Sequence, residues 1–298
     1  MYDRPVEIRP FRRADAAPVA ELSAFCARGE TDFVLNPYWL TEAELFAEYE
    51  RFQIAPEDHL LVAAGNNGEI LGLAGFLHRP GAREAGMCCP IVARSARGKG
   101  VGGQLLRAAR RHGRERLGVR LATAGIGTRN RAGYSLLTSL GFRPVRQHFL
   151  MRCDATSPLP RFDAASLEMA RPEHADAILD IYTACGFERR DRESMRDTLG
   201  DGRHAHSVAI QSGAVVAFVE LETHWPSRVW VSYVGVAQAA RDKGLGTALV
   251  TWSIARKFEA GADSALLLLS PANRTALRAY EKSGFRRHRL VDVLEESF

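Results

Sequence analysis

The chain carries the same two motifs twice, in the same order and at nearly the same spacing. Residues 92–106 read VARSARGKGVGGQLL and residues 236–250 read VAQAARDKGLGTALV. Their arginines, Arg97 and Arg241, stand 144 positions apart. A second pair, NRAGYSLLTSLGF from Asn130 and NRTALRAYEKSGF from Asn273, is separated by 143. Two motifs at one offset mark an internal duplication, and a repeat constrains the architecture before any single element does. A chain of 298 residues also fits about two domains of roughly 100–200 residues each. The stretch DATSPLPR is rich in Pro and Ser and has no hydrophobic period, so it reads as a linker. The sequence therefore predicts domains over 1–154 and 162–298, joined by 155–161.

Hydrophobic periodicity gives each half the same order of elements. In the C-terminal half, strands are expected at 166–170, as a hairpin over 206–222 that turns at 211–213, and at 228–236, 264–270 and around 290–294. Helices are expected at 173–185, 192–199 with Gly200 as the stop, from the glycine loop to 258, and at 273–284. In the N-terminal half, strands are expected at 6–9, 59–64, 70–78, 87–92, 121–126 and 142–152. Helices there fall at 15–26, 41–52, 100–117 and 130–140. Each half is thus α/β, or α+β in detail: a mixed, mostly antiparallel sheet flanked by helices.

Composition removes several classes. No apolar run reaches the roughly 20 residues that cross a bilayer, and the first residues, MYDRPVEIRPFRRAD, lack an apolar signal core. These features point to the cytoplasm and away from a membrane partner. Five scattered cysteines without a CxxC pair argue against a disulfide framework or a structural zinc site. His204-Ala205-His206 has the spacing of a metal pair, but no third ligand is evident, so no metal is expected. The net charge of +5 is carried almost wholly by arginine. That admits an anionic partner, yet no basic-aromatic motif for nucleic acid accompanies it. The arginines from 107 to 120 read as a solvated helix face.

The chemistry is concentrated in Arg241-Asp242-Lys243-Gly244-Leu245-Gly246-Thr247, which leaves a strand and opens a helix. The first N–H groups of a helix have no intrahelical partners, and the helix dipole adds positive potential there. Glycines let the backbone approach an anion closely, so the loop suits a phosphate. The counterpart is Arg97-Gly98-Lys99-Gly100-Val101-Gly102. Neither loop satisfies a Rossmann fingerprint, because both lie mid-domain and no acidic residue follows near Arg120. Neither is a P-loop, because Gly follows both Lys99 and Lys243.

V-x-x-x-x-R-x-x-G-x-G at a strand-to-helix turn resembles the signature of the GNAT superfamily of N-acetyltransferases. So does N-x-x-A-x-x-x-Y-x-x-x-G-F, present as Asn273, Ala276, Tyr280, Gly284 and Phe285. The resemblance covers nearly the whole chain in two copies. It implies two tandem acyl-CoA N-acyltransferase-like domains and acetyl-CoA, or another short acyl-CoA, as cofactor. The loop amides from Arg241 to Thr247, and from Arg97 to Gly102, would hold its pyrophosphate. Val234, Gly235 and Val236, and in the first half Ile91 and Val92, would pair with its pantetheine arm. Asn273 and Asn130 would contact it, although an asparagine there also reads as a plain N-cap. Tyr280 would protonate the departing thiolate. The first half departs from the pattern, with Leu137 seven residues after Asn130 where Tyr280 follows Asn273, and with Tyr134 one helical turn earlier.

An acceptor amine must lose a proton before it attacks. Glu220 and Glu222 lie two apart on a predicted strand and so share a face, which makes both candidate bases. The expected activity is acetyl transfer to a primary amine of a small molecule, in the C-terminal half. The alternatives are acetylation of a peptide or protein amine and a non-catalytic acyl-CoA-binding or sensing protein. The expected assembly is a monomer with an internal pseudo-dimer, or a homodimer.

Overall fold

The structure is a computed structural model and describes residues 6–187 and 190–298. It divides into two compact units, 1–148 with 290–298 and 149–289. The cut differs from the halves expected from the sequence, 1–154 and 162–298. Two strands, β6 (Arg143–Asp154) and β12 (Arg286–Ser297), pass from one unit into the other. The reason lies in pairing. Residues 149–154 bond the last strand of the C-terminal unit, and residues 291–297 bond the fifth strand of the N-terminal unit. Each unit is therefore completed by a strand from the other repeat.

The N-terminal unit runs β1 (Glu7–Pro10), α1 (Ala16–Arg28), α2 (Glu42–Arg51), α3 (Pro56–His59), β2 (Leu60–Ala64), β3 (Ile70–Leu77), β4 (Glu84–Val92), α4 (Val101–Glu115), β5 (Leu121–Gly127) and α5 (Arg131–Ser139). Strands β1 to β4 pair antiparallel in sequence order, β4 pairs parallel with β5, and residues 291–297 pair antiparallel with β5. The strand expected from His59 starts one residue later. Pro56 stands at the first turn of α3, where its missing N–H costs nothing, and the turn takes up His59. Seven of the eight residues of β3 are buried, and α1 and α4 both pack on it. A run buried on both faces explains its unbroken apolar sequence, ILGLAGFL.

The C-terminal unit repeats the plan with β7 (Leu167–Met169), α6 (Ala175–Ala184), α7 (Arg192–Gly200), β8 (His204–Gln211), β9 (Ala214–Glu222), β10 (Arg228–Val236), α8 (Leu245–Glu259), β11 (Ser264–Leu269) and α9 (Arg274–Lys282). Strands β7 to β10 are antiparallel neighbours, β10 and β11 are parallel, and residues 149–154 close the sheet against β11. Gly200 is the last residue of α7 rather than the residue beyond it. Two cores fill the unit. One, with Leu249, Ile254, Leu267 and Val231, lies under α8. The other, with Ile178, Tyr182, Met195 and Phe218, lies under α6 and α7. No helix among the described residues is long and apolar enough to cross a membrane.

Candidate functional site

The two glycine loops fold alike. Gly98 and Gly100 take φ of 74° and 79°, and Asp242 and Gly244 take 62° and 75°. This left-handed region favours glycine, so Asp242 is the strained member. Gly100 and Gly244 are the N-caps of α4 and α8, and neither helix has a side-chain cap. The first-turn N–H groups of both helices thus face outward from the loop. The arginines brace each loop identically: Arg97 Nε donates to Val92 O at 2.9 Å and Arg241 Nε to Val236 O at 3.0 Å. Lys99 and Lys243 fold back onto loop carbonyls, at Ser95 and Ala239.

Above each loop a parallel pair of strands parts. In the C-terminal unit β10 and β11 are in register from Arg228↔Ser264 to Trp230↔Leu266, and among the described residues no rung follows. A bulge in β10 between Val231 and Tyr233 bends the strand at that point. Ala237 N donates to Val216 O on the β9 side. Strand alternation then turns the backbone of Gly235 toward β9 and that of Val234 and Val236 into the gap. Val234 and Val236 are half-buried, and both pack on the core that also holds Leu245 and Tyr280.

The N-terminal unit has the same geometry, with the gap filled. Strands β4 and β5 are in register from Glu84↔Leu121 to Gly86↔Thr123 and then separate. Residues 33–36 lie between them. Leu35 N donates to Gly125 O at 2.9 Å, Gly127 N donates to Phe33 O at 3.1 Å, and Val34 bridges Ile126. On the other side Cys89 N donates to Asn36 O at 2.8 Å. Phe33 and Val34 are fully buried. The fit depends on glycines: a Cβ at Gly125 would stand 2.7 Å from Leu35 Cβ, and one at Gly127 would stand 3.2 Å from Phe33 Cβ. Arg97 is tied to the same segment, 3.1 Å from Asp32 Oδ2. A groove of about 700 Å3 runs along α1, lined by Ala24, Phe25, Asp32 and Arg94 among others, but no residue of the filled gap lines it.

The gap-facing position equivalent to Val234 is Pro90, 144 residues earlier, and proline has no N–H to offer. The repeat offset contained this difference. Ile91 and Val92, expected to pair with a cofactor, therefore border a gap already occupied by Leu35 and its neighbours.

Both asparagines are N-caps. Asn130 Oδ1 accepts from Gly133 N at 3.0 Å and Asn273 Oδ1 from Ala276 N at 3.1 Å. Asn130 also donates to Phe33 O at 3.3 Å. Tyr280 is on α9 against Phe285, and burial pushes its phenol up to about 12. Its counterpart Leu137 is a core residue, and Tyr134 packs against the same core.

On the face of the C-terminal sheet covered by α6 and α7, the two glutamates have different surroundings. Glu220 is buried, with Arg190 Nη1 2.8 Å from one carboxylate oxygen and His204 and His206 each 3.3 Å away. Burial alone would raise its pKa, but the two histidines and Arg190 outweigh it and hold the carboxyl far below the usual range. Arg190 also stacks over Tyr182 and Tyr233 at 4.9 and 5.4 Å. Glu222 instead accepts from Ser232 Oγ at 2.8 Å and has His224 Nε2 at 3.7 Å. The shared face follows from strand alternation, whereas the burial of Glu220 and its arginine carried no local signal. The histidine pair read as metal-like spacing brackets this carboxylate.

Comparison with known proteins agrees with this geometry. The profile of the Acetyltransferase (GNAT) family matches twice, at residues 28–142 and 175–285. A mycothiol acetyltransferase of Thermobispora bispora is 30% identical over 229 residues, 68% of this chain and 73% of that protein. One from Mycobacteroides abscessus is 29% identical over 218 residues, 65% of this chain and 69% of that protein. Among solved structures, a GCN5-related N-acetyltransferase from Sphaerobacter thermophilus superposes with a TM-score of 0.77 at 19% identity, covering 98% of this chain and 95% of that one. A tandem GNAT protein from the clavulanic acid biosynthesis pathway gives 0.68 at 16% identity, with 98% of each chain covered. The chain belongs to the GNAT acetyltransferase family, as a tandem of two such domains.

Proposed function

We propose that the C-terminal unit transfers an acetyl group from acetyl-CoA, or another short acyl-CoA, to a primary amine of a small molecule, and that the N-terminal unit takes no cofactor. The observation that carries this reading is the contrast between the two gaps: among the described residues no segment bonds β10 and β11 where they part, while β4 and β5 part around residues 33–36.

The residues of the C-terminal unit suit the cofactor. The uncapped first turn of α8 and the left-handed Asp242 and Gly244 form a cradle for a pyrophosphate. Arg241 and Lys243 add charge at its rim. Val234 and Val236 can extend β10 by one more strand-like partner and so align a pantetheine arm. Gly235, facing β9, leaves room where a Cβ would stand 2.4 Å from Phe218. When bound, the thioester supplies an activated acyl carbon. The Val234 N–H, turned into the gap, would be free to polarise the thioester carbonyl. Burial holds the Tyr280 proton in place at neutral pH, so the residue would be available as a donor to a departing thiolate. The face bearing Glu220 and Glu222 is roofed by α6 and α7, which supports a small amine over a polypeptide. The similarity to mycothiol acetyltransferases supports acetyl transfer as the reaction.

The test is a panel of primary amines (glucosamine, lysine, spermidine and benzylamine) with acetyl-CoA, scored by thiol release. Turnover of one or more that is lost in Arg241→Glu and retained in Arg97→Glu is expected. Binding of acetyl-CoA without turnover of any amine or peptide would favour the sensing alternative instead.

A further inference from the structure

We propose that Ser232, Glu222 and His224 form the path by which the acceptor's proton leaves the reacting centre. The inference rests on acetyl transfer in the C-terminal unit and names residues for a step that the reading above leaves unassigned.

Ser232 is the extra residue of the β10 bulge, where the register against β9 steps between Val231↔Leu221 and Tyr233↔Glu220. A bulge re-aims the side chain it carries. Here the hydroxyl is half-buried, two residues before Val234, and is turned onto Glu222. It donates to Glu222 Oε1 at 2.8 Å, and the other oxygen of the same carboxylate lies 3.7 Å from His224 Nε2. Three proton-carrying groups thus lie in sequence from the edge of the gap, with the His224 side chain buried at the far end. The His224 ring in turn meets the His204 ring edge-on at 5.3 Å. His204 and Trp230 are the cross-strand partners of Glu222 on β8 and β10.

Glu220 does not suit the same task. It is buried, bonded to the Arg190 guanidinium and flanked by two histidines, an arrangement that favours permanent charge over proton acceptance. Its geometry serves to hold Arg190 over Tyr182 and Tyr233. Of the two glutamates expected from the sequence, the link to Ser232 selects Glu222.

The acceptor ammonium donates one N–H proton to Ser232 Oγ while the serine O–H proton passes to Glu222 Oε1. Serine ends unchanged and the carboxylate ends as the acid. The nitrogen keeps the electron pair with which it forms the new bond to the acyl carbon. The carboxyl then turns its proton to the other oxygen, from which it reaches His224 Nε2 through one water, since 3.7 Å is too long for a direct hydrogen bond. Ser232 is the catalytic residue of this path, and Glu222 and His224 act through it.

The full chain tests this with Ser232→Ala, Ser232→Thr, Glu222→Gln and His224→Gln. Acetyl-CoA binding is followed by calorimetry, and kcat and KM by thiol release with the best amine of the panel. All four variants should bind acetyl-CoA as the native chain does, which reports on the fold. Ser232→Ala and Glu222→Gln should lose about 100-fold in kcat, in the range for a lost general base, with KM within about threefold. Ser232→Thr, which keeps a hydroxyl, should recover most of the loss. An unchanged kcat in Ser232→Ala or Glu222→Gln, while the native chain turns over, overturns the relay alone. Native chain that turns over no amine overturns the acetyl-transfer reading and the relay with it.

Discussion

The two strand gaps of this molecule begin from one design and end differently. Both have a bulged strand, a left-handed loop braced by an arginine onto the strand-end carbonyl, and an asparagine-capped helix. In the C-terminal unit the gap-facing strand offers the Val234 N–H, Tyr280 stands on the capped helix, and two glutamates lie on β9. In the N-terminal unit those positions hold Pro90, Leu137 and a β3 without a carboxylate, and residues 33–36 bond both gap strands. The differences are chemically consistent with one another. A gap satisfied by the chain's own peptide groups needs no donor at Pro90, and the apolar β3 and Leu137 complete a packed core. The loop motif is thus common to both units, and the strand edges above it are what set them apart.

Six substitutions and an acid titration separate the two units experimentally. The largest effect is expected from Glu220→Gln, which leaves Arg190 without its charge partner. Breaking a buried pair from one side costs about 3 kcal/mol or more, so the C-terminal unit should melt well below the N-terminal one in calorimetric scans. The same carboxylate predicts a pH dependence. Its folded pKa lies below the ordinary 4.5, so its stabilisation is complete above that value and is lost as pH falls beneath it. The native chain should lose stability between pH 5 and about 2 more steeply than Glu220→Gln.

Next comes Arg241→Glu, which places a negative charge at the pyrophosphate cradle and should weaken acetyl-CoA binding about 100-fold, or roughly 2.7 kcal/mol. Arg97→Glu, paired with Asp32 beside the filled gap, should leave the affinity within about twofold of native. Tyr280→Phe should lower kcat about 100-fold, the lower end of general-acid contributions, and leave the cofactor affinity alone. Leu137→Tyr should restore nothing in the N-terminal unit. The smallest effect belongs to Asp32→Ala. Its exposed pair with Arg97 contributes about 0.5 kcal/mol, so a shift in melting temperature of a few degrees at most is expected, with no new cofactor site.

Much of the fold was legible from sequence because it is locally coded. The offset between Arg97 and Arg241 revealed the duplication, Gly244 and Gly100 marked the loops, and Asn273 and Asn130 marked helix starts. The alternation of Glu220 and Glu222 placed both on one face. Non-local pairing was not legible. Residues 149–154 and 291–297 have the pattern of strands closing their own halves, and nothing in a strand's alternation names its partner. Residues 33–36 lack a period because they are held by Gly125, Gly127 and Cys89, up to 94 positions away. Their one sequence trace is the pair of glycines on β5, whose meaning depends on the segment they admit. Ser232 was equally silent, since a bulge is defined against its neighbour strand. Pro90 was the exception: the repeat offset alone aligns it with Val234.

Under the proposed function the gap between β10 and β11 takes the cofactor, while residues 33–36 close the gap between β4 and β5. Titration of acetyl-CoA into the purified chain by calorimetry tests it most directly through the stoichiometry. One site per chain, abolished by Arg241→Glu and untouched by Arg97→Glu, is the predicted result. Two sites per chain, or one that survives Arg241→Glu and is lost in Arg97→Glu, would contradict it.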